Sequence, residues 1–242
     1  MLDFFQNFSW IAVGQIVLID LLLGGDNAIL IALACRNLPE ELRLKGILWG
    51  TAGAILIRIV LITFAVTLLQ VPLIKLVGGA MLLWIGVKLL LDQNEDHSEV
   101  AASSKLAGAI KTIIIADLVM SIDNVMGIAS VAEHAGGEHQ LLLVIIGILI
   151  SIPIVVWGST LVLKIMDKLP FIVILGAGLL GYLGGAMIIS DVVAATWLTT
   201  NLPPVALHIE VFSRSLSTPG LVAAIAIVGL GLLLSRRVVS AN

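Results

Sequence analysis

Seven stretches of this chain are apolar over the thickness of a lipid bilayer, and that pattern most constrains what it can fold into. They are residues 10–34, 46–69, 73–91, 107–132, 141–163, 171–190 and the shorter 221–235. A hydrocarbon core about 30 Å thick is crossed by about 20 helical residues, and inside it every backbone polar group must be satisfied within the span. The expected fold is therefore all-α, a polytopic membrane protein with seven transmembrane helices. Composition agrees: 60% of the residues are hydrophobic and 12% charged, well outside the range of soluble domains.

Orientation follows from the cations, since Lys and Arg gather on the cytoplasmic side of a membrane protein. With the N-terminus outside, Arg36, Arg43, Lys45, Lys88, Lys105, Lys111, Lys164, Lys168, Arg236 and Arg237 fall on the cytoplasmic side, ten of the 13. Lys75 and Arg214 fall outside and Arg58 lies within the second span. The expectation is a multi-pass protein of the inner or plasma membrane, N-terminus out and C-terminus cytoplasmic. The start carries Asp3 and no Lys or Arg before Trp10, unlike a secretory signal, so the first span is expected to be retained. Trp10, Trp49, Trp157, Phe171 and Trp197 near the span ends fit interfacial anchors. The single cysteine, Cys35, excludes an intrachain disulfide and reads as a small apolar residue.

Against this apolar background, Asp20 and Asp26 with Asn27 stand inside the first span. A carboxylate at the bilayer centre is disfavoured by about 2.5–3.5 kcal/mol on insertion scales, so an intramembrane aspartate is a functional-site hypothesis by default. In an unbroken helix the two aspartates would lie about 9 Å and about 120° apart and could not share a ligand. Gly24-Gly25 between them is where the helix is expected to break.

Shifting the chain by 97 lays Ile16–Asp20 on Ile113–Asp117, and Asp26-Asn27 on Asp123-Asn124. A shift of 98 lays Gly78, Trp84 and Gly86 of the third span on Gly176, Tyr182 and Gly184 of the sixth. Each copy covers three spans, so the second enters the membrane from the opposite side. Two inverted three-helix repeats plus one extra helix is an architecture common among secondary transporters. The expected divisions are a first repeat over 1–92, a cytoplasmic acidic linker over 93–106, a second repeat over 107–191, an outer loop over 192–219, and a seventh helix with a basic C-terminus over 220–242. Where the first copy has Gly24-Gly25 the second has Ser121-Ile122, stiffer but carrying a hydroxyl. The acidic stretch 92–104 reads as a solvated connection, the Glu-His pairs of 133–139 as a polar turn, and 199–220, with three prolines, as an outer loop with one interfacial turn.

Brought to one midplane point, Asp20, Asp26, Asn27, Asp117, Asp123 and Asn124 would offer carboxylate and amide oxygens without sulfur. That donor set suits hard divalent cations, Mn2+, Mg2+ or Ca2+, over Cu+ or Zn2+. Clustered buried carboxylates also bind protons more readily, so metal–proton exchange follows. Arg58 is read first as a structural partner for an aspartate and second as a counter-charge when the ion leaves. The aspartates taken singly could merely bond a neighbouring helix; four at matched positions weigh against that. Asp191 reads as a helix-end residue.

The segment GGDNAILIALA and the later DLVMSIDNVMGIA resemble the TerC family of integral membrane proteins, over about the first 190 residues. The resemblance implies two inverted three-helix repeats plus a seventh helix, export of Mn2+, and a role for the six Asp and Asn positions above. The leading expectation is thus a secondary-active divalent cation exporter, with no resident cofactor, no enzymatic activity and no nucleic-acid partner; a homo-oligomer stays open. No Walker-type glycine-rich loop supports ATP drive. The alternative is a membrane-embedded assembly or metalation partner of the tellurite-resistance type, without transport of its own. An intramembrane aspartyl hydrolase is the remote third reading.

Overall fold

The computed structural model describes residues 10–69, 71, 73–91, 99–134, 140–201, 208–211 and 214–239. In chain order these form α1 (Trp10–Leu23), α2 (Gly25–Cys35), α3 (Glu40–Leu69), α4 (Ile74–Leu91), α5 (Glu99–His134), α6 (Gln140–Lys168), α7 (Phe171–Ile189), α8 (Val192–Asn201), β1 (His208–Val211), β2 (Arg214–Ser217) and α9 (Thr218–Val239).

Four helical segments are long and apolar enough to cross a bilayer: Glu40–Phe64, Ile74–Leu91, Val144–Lys168 and Phe171–Ile189. The pair Val13–Leu22 and Gly25–Cys35, bent by 51°, brings the candidates to five if it is taken as one broken span. Thr218–Leu233 is a shorter apolar helix, and α5 carries the second Asp-Asn motif. The chain is therefore mostly helical and integral to the membrane. It departs from the all-α expectation in the stretch expected as a loop over 192–219: α8 occupies its start, and β1 and β2 pair antiparallel with His208 opposite Ser217 and Val211 opposite Arg214. Ile209 and Val211 supply β-branched residues to the first strand.

Proline sets two of the helix starts. The Pro39 carbonyl accepts from the Leu42 and Arg43 amides at 2.9 and 3.2 Å, and the Pro170 carbonyl from Val173 at 3.1 Å. Each proline stands where a free N–H would have no helical partner. Glu40 and Glu41 then occupy the first turn of α3, against the positive end of its dipole.

The surface is apolar and the polar groups are inside. Leu56, Phe64, Val77, Leu175 and Ile225 are exposed, as are Trp49, Trp157, Trp197 and Phe171, whereas Asp20, Arg58, Asp117, Ser121 and Ser151 are buried. That inversion is what lipid solvation selects. Helices meet where glycine removes the side chain. α3 rests on α5 at Gly50, where a Cβ would lie 2.5 Å from the Ile113 side chain; α6 rests on α1 at Gly147, where it would lie 2.5 Å from Ile16. At the α4–α7 crossing a Cβ on Gly184 would come within 2.7 Å of the Gly79 carbonyl oxygen, a backbone approach that small residues alone permit. Around these contacts Leu30, Leu33, Ile47, Leu82, Ile85, Ile113 and Leu180 form the core.

Candidate intramembrane polar site

The break in the first span falls at Gly24, which has φ −107° and ψ 9°. Its amide closes the last turn of α1 on the Asp20 carbonyl at 2.7 Å, and its own carbonyl accepts from the Asn27 amide at 3.0 Å. The two glycines are not equivalent. A Cβ at Gly24 would sit 2.5 Å from the Asp20 carbonyl oxygen and 3.0 Å from Asn27 Nδ2, while one at Gly25 meets nothing within 4 Å. In the second copy α5 runs through Ser121-Ile122 without a break.

Asp20 and Asp117 converge on one cation. Arg58, on α3, donates from Nη1 to Asp20 Oδ1, from Nη2 to Asp117 Oδ1 at 2.5 Å and from Nε to Ser121 Oγ at 3.1 Å. The second oxygen of each carboxylate is also used: Ser151 Oγ donates to Asp20 Oδ2, and Ser121 Oγ to Asp117 Oδ2 at 3.1 Å. All five residues are at most 5% exposed. A buried charge is tolerated when it is paired and its remaining lone pairs are satisfied, and both conditions hold here.

The other expected ligands are placed differently. Asn27 is buried, with Oδ1 lacking a hydrogen-bond partner; Asp26 is half-buried overall, but its Oδ1 is buried and equally without one. Asn124 is half-buried on α5. Asp123 lies on the same helix, and its side chain falls outside the described residues. Among the described residues no three His, Cys, Asp or Glu side chains gather into a metal-binding group. Of the four expected carboxylates, Asp20 and Asp117 are joined through Arg58.

Beside this triad is a cavity of about 30 Å3. Ten of the residues lining it form five pairs that stand 97 positions apart: Asp20 and Asp117, Thr51 and Ile148, Ala54 and Ser151, Ile55 and Ile152, Arg58 and Val155. Asn27 and Ile31 complete the lining. Thr51 and Ser151 carry no motif and their repeat mates are apolar, so the sequence comparison passed over them. Asp191, by contrast, is a helix-end residue: its Oδ1 accepts from the Val193 amide at 3.0 Å, and its Oδ2 from the Leu76 amide at 3.4 Å at the start of α4.

Comparison with known proteins places this architecture. The chain is 45% identical to Uncharacterized membrane protein YjbE of Bacillus subtilis (strain 168) over 176 residues, 73% of this chain and 78% of that protein. It is 25% identical to Uncharacterized membrane protein YceF of the same organism over 171 residues, 67% of this chain and 64% of that protein. It is also 25% identical to UPF0053 inner membrane protein YgdQ of Escherichia coli (strain K12) over 200 residues, 76% of this chain and 82% of that protein. No solved structure matches. The profile of the Integral membrane protein TerC family matches residues 5–238, so a multi-pass chain with a buried Asp–Arg–Asp centre belongs to the TerC family.

Proposed function

We propose that this chain is a secondary-active exporter of a hard divalent cation, Mn2+ foremost, that exchanges it for protons across the inner membrane with the N-terminus outside. The observation that carries the reading is the buried cavity where Asp20 and Asp117 meet at Arg58. Its polar lining is Asp20, Asn27, Thr51, Arg58, Asp117 and Ser151, without a sulfur ligand, which favours Mn2+, Mg2+ or Ca2+ over soft metals. Buried ionisable groups in a span are costly enough to mark ion pathways.

The pairing of lining residues supports an inverted repeat whose axis passes through the cavity. So does the helix packing: Gly50 receives Ile113 and Gly147 receives Ile16, and each member of the second contact is 97 positions from its counterpart in the first. A fixed site between two halves that rock against each other is the usual geometry of alternating access. The bend at Gly24 gives the first half a hinge that the continuous α5 lacks. In this reading Asp26, Asn27, Asp123 and Asn124 bind the ion, and Arg58 keeps Asp20 and Asp117 charged when it is gone.

Reconstitution into proteoliposomes with a Mn2+ indicator tests the proposal. Flux should follow an imposed pH gradient and fall at least about tenfold in Asp26→Asn and in Asp123→Asn. Undiminished flux in both variants removes the site assignment. Absence of Mn2+, Mg2+ and Ca2+ flux in the wild-type protein removes transport and returns the chain to the assembly-partner reading.

A further inference from the structure

Arg58 cannot leave its place cheaply. It donates three hydrogen bonds, and each of the four oxygens of Asp20 and Asp117 has a donor. Removing the guanidinium would leave two buried carboxylates unpaired, which is strongly destabilising. An ion that had to displace Arg58 would first have to supply that energy.

Unused oxygens lie next to it. Among the described residues, the buried side-chain oxygens without a hydrogen-bond partner are Asp26 Oδ1, Asn27 Oδ1 and Thr51 Oγ1. Asn27 and Thr51 are 4% and 5% exposed and both line the cavity that Arg58 also lines. Buried polar groups are nearly always paired, so two orphaned oxygens on one cavity are an exception, which a bound water or ion would resolve. Their positions are asymmetric: Thr51 faces a repeat mate, Ile148, that has no oxygen to offer.

Size adds selectivity. A cavity of about 30 Å3 holds one or two water-sized particles, given about 10–15 Å3 for each. Mg2+ gives up its waters reluctantly and keeps several when bound, whereas a larger, more readily dehydrated ion can exchange them for amide and hydroxyl oxygens.

Resting on the exporter reading above, we propose that the transported cation is held off the repeat axis, against Asn27 Oδ1 and Thr51 Oγ1 and beside Arg58, and that Thr51 is a specificity-determining ligand favouring Mn2+ over Mg2+. The α3 hydroxyl thereby joins the Asp-Asn motif of α2.

The test is Mn2+ transport in proteoliposomes over a range of Mn2+ concentrations, with and without excess Mg2+, for the wild type, Thr51→Val, Thr51→Ala and Thr51→Ser. Removing the oxygen should raise the KM for Mn2+ by about 10- to 100-fold, the scale set by perturbed metal shells, with a smaller effect on the maximal rate, and should increase inhibition by Mg2+. Thr51→Ser restores the oxygen and should recover most of the loss. A wild-type KM in Thr51→Val, or in Thr51→Ala should the valine variant fail to fold, overturns the assignment while leaving the exporter reading intact. An equal fall in maximal rate with unchanged KM and Mg2+ inhibition assigns Thr51 a packing role and also overturns it. Lack of flux in the wild type overturns the exporter reading itself.

Discussion

Asp20 and Asp117, 97 positions apart in the sequence, accept hydrogen bonds from the two terminal nitrogens of a single guanidinium, that of Arg58. One cation on α3 thus ties α1 to α5. Truncation as Arg58→Met should destabilise the protein by about 3–5 kcal/mol, because it strands two carboxylates that are 3% and 4% exposed. Adding Asp20→Asn and Asp117→Asn to Arg58→Met should return much of that loss. Thermal unfolding in detergent reads both; a triple variant no more stable than the single one would contradict the pairing.

Gly24 and Gly25, adjacent in sequence, should respond oppositely to alanine. At Gly24 the new Cβ collides with the Asp20 carbonyl, which is backbone and cannot swing away, and presses on Asn27. Gly24→Ala should therefore cost about 1–3 kcal/mol. Gly25→Ala meets open space and restricts the unfolded chain, so it should be neutral or stabilising by up to about 1 kcal/mol. Paired melting curves check the difference, and equal effects would mean that the break is not built as described.

At the other end of the bundle, Arg43 Nη1 pairs with Asp167 at 2.6 Å, and Asp167 is 47% exposed. Asp167→Asn should cost less than about 1 kcal/mol, as exposed pairs do, and should matter less still at high salt. Arg43→Ala should cost more, about 1–3 kcal/mol, since Arg43 also donates to the Leu38 and Arg36 carbonyls at 3.2 and 3.0 Å. Chemical denaturation at two ionic strengths separates the contributions: the Asp167 effect is salt-dependent and the carbonyl contacts are not.

Apolar runs mark most of the helices closely. The expected 73–91 and 171–190 become Ile74–Leu91 and Phe171–Ile189, because hydropathy and proline punctuation act on each segment separately. The stretch after α8 was less legible. Its hairpin depends on pairing between His208–Val211 and Arg214–Ser217, and backbone pairing leaves little trace in a short polar sequence.

At the site, the motif aspartates were legible because a charge inside an apolar run is costly wherever it points. Arg58 was visible for the same reason, but not its bridging of both halves. Ser151 and Thr51 were not visible at all, since a lone hydroxyl in a span commonly bonds its own helix, as Ser159 does to the Val155 carbonyl.

The sequence by itself determined that this chain lives in a membrane, where its helices run and which residues are too polar to face lipid. Those are properties of single segments, fixed by transfer free energy and backbone hydrogen bonding. Tertiary structure alone decided which polar groups meet: Arg58 between Asp20 and Asp117, Ser151 on Asp20, and Asn27 with Thr51 on one small cavity. The rotation and depth of each helix are set by where Gly50, Gly79, Gly147 and Gly184 let neighbours approach. Those contacts join residues from different segments, and no local pattern records them.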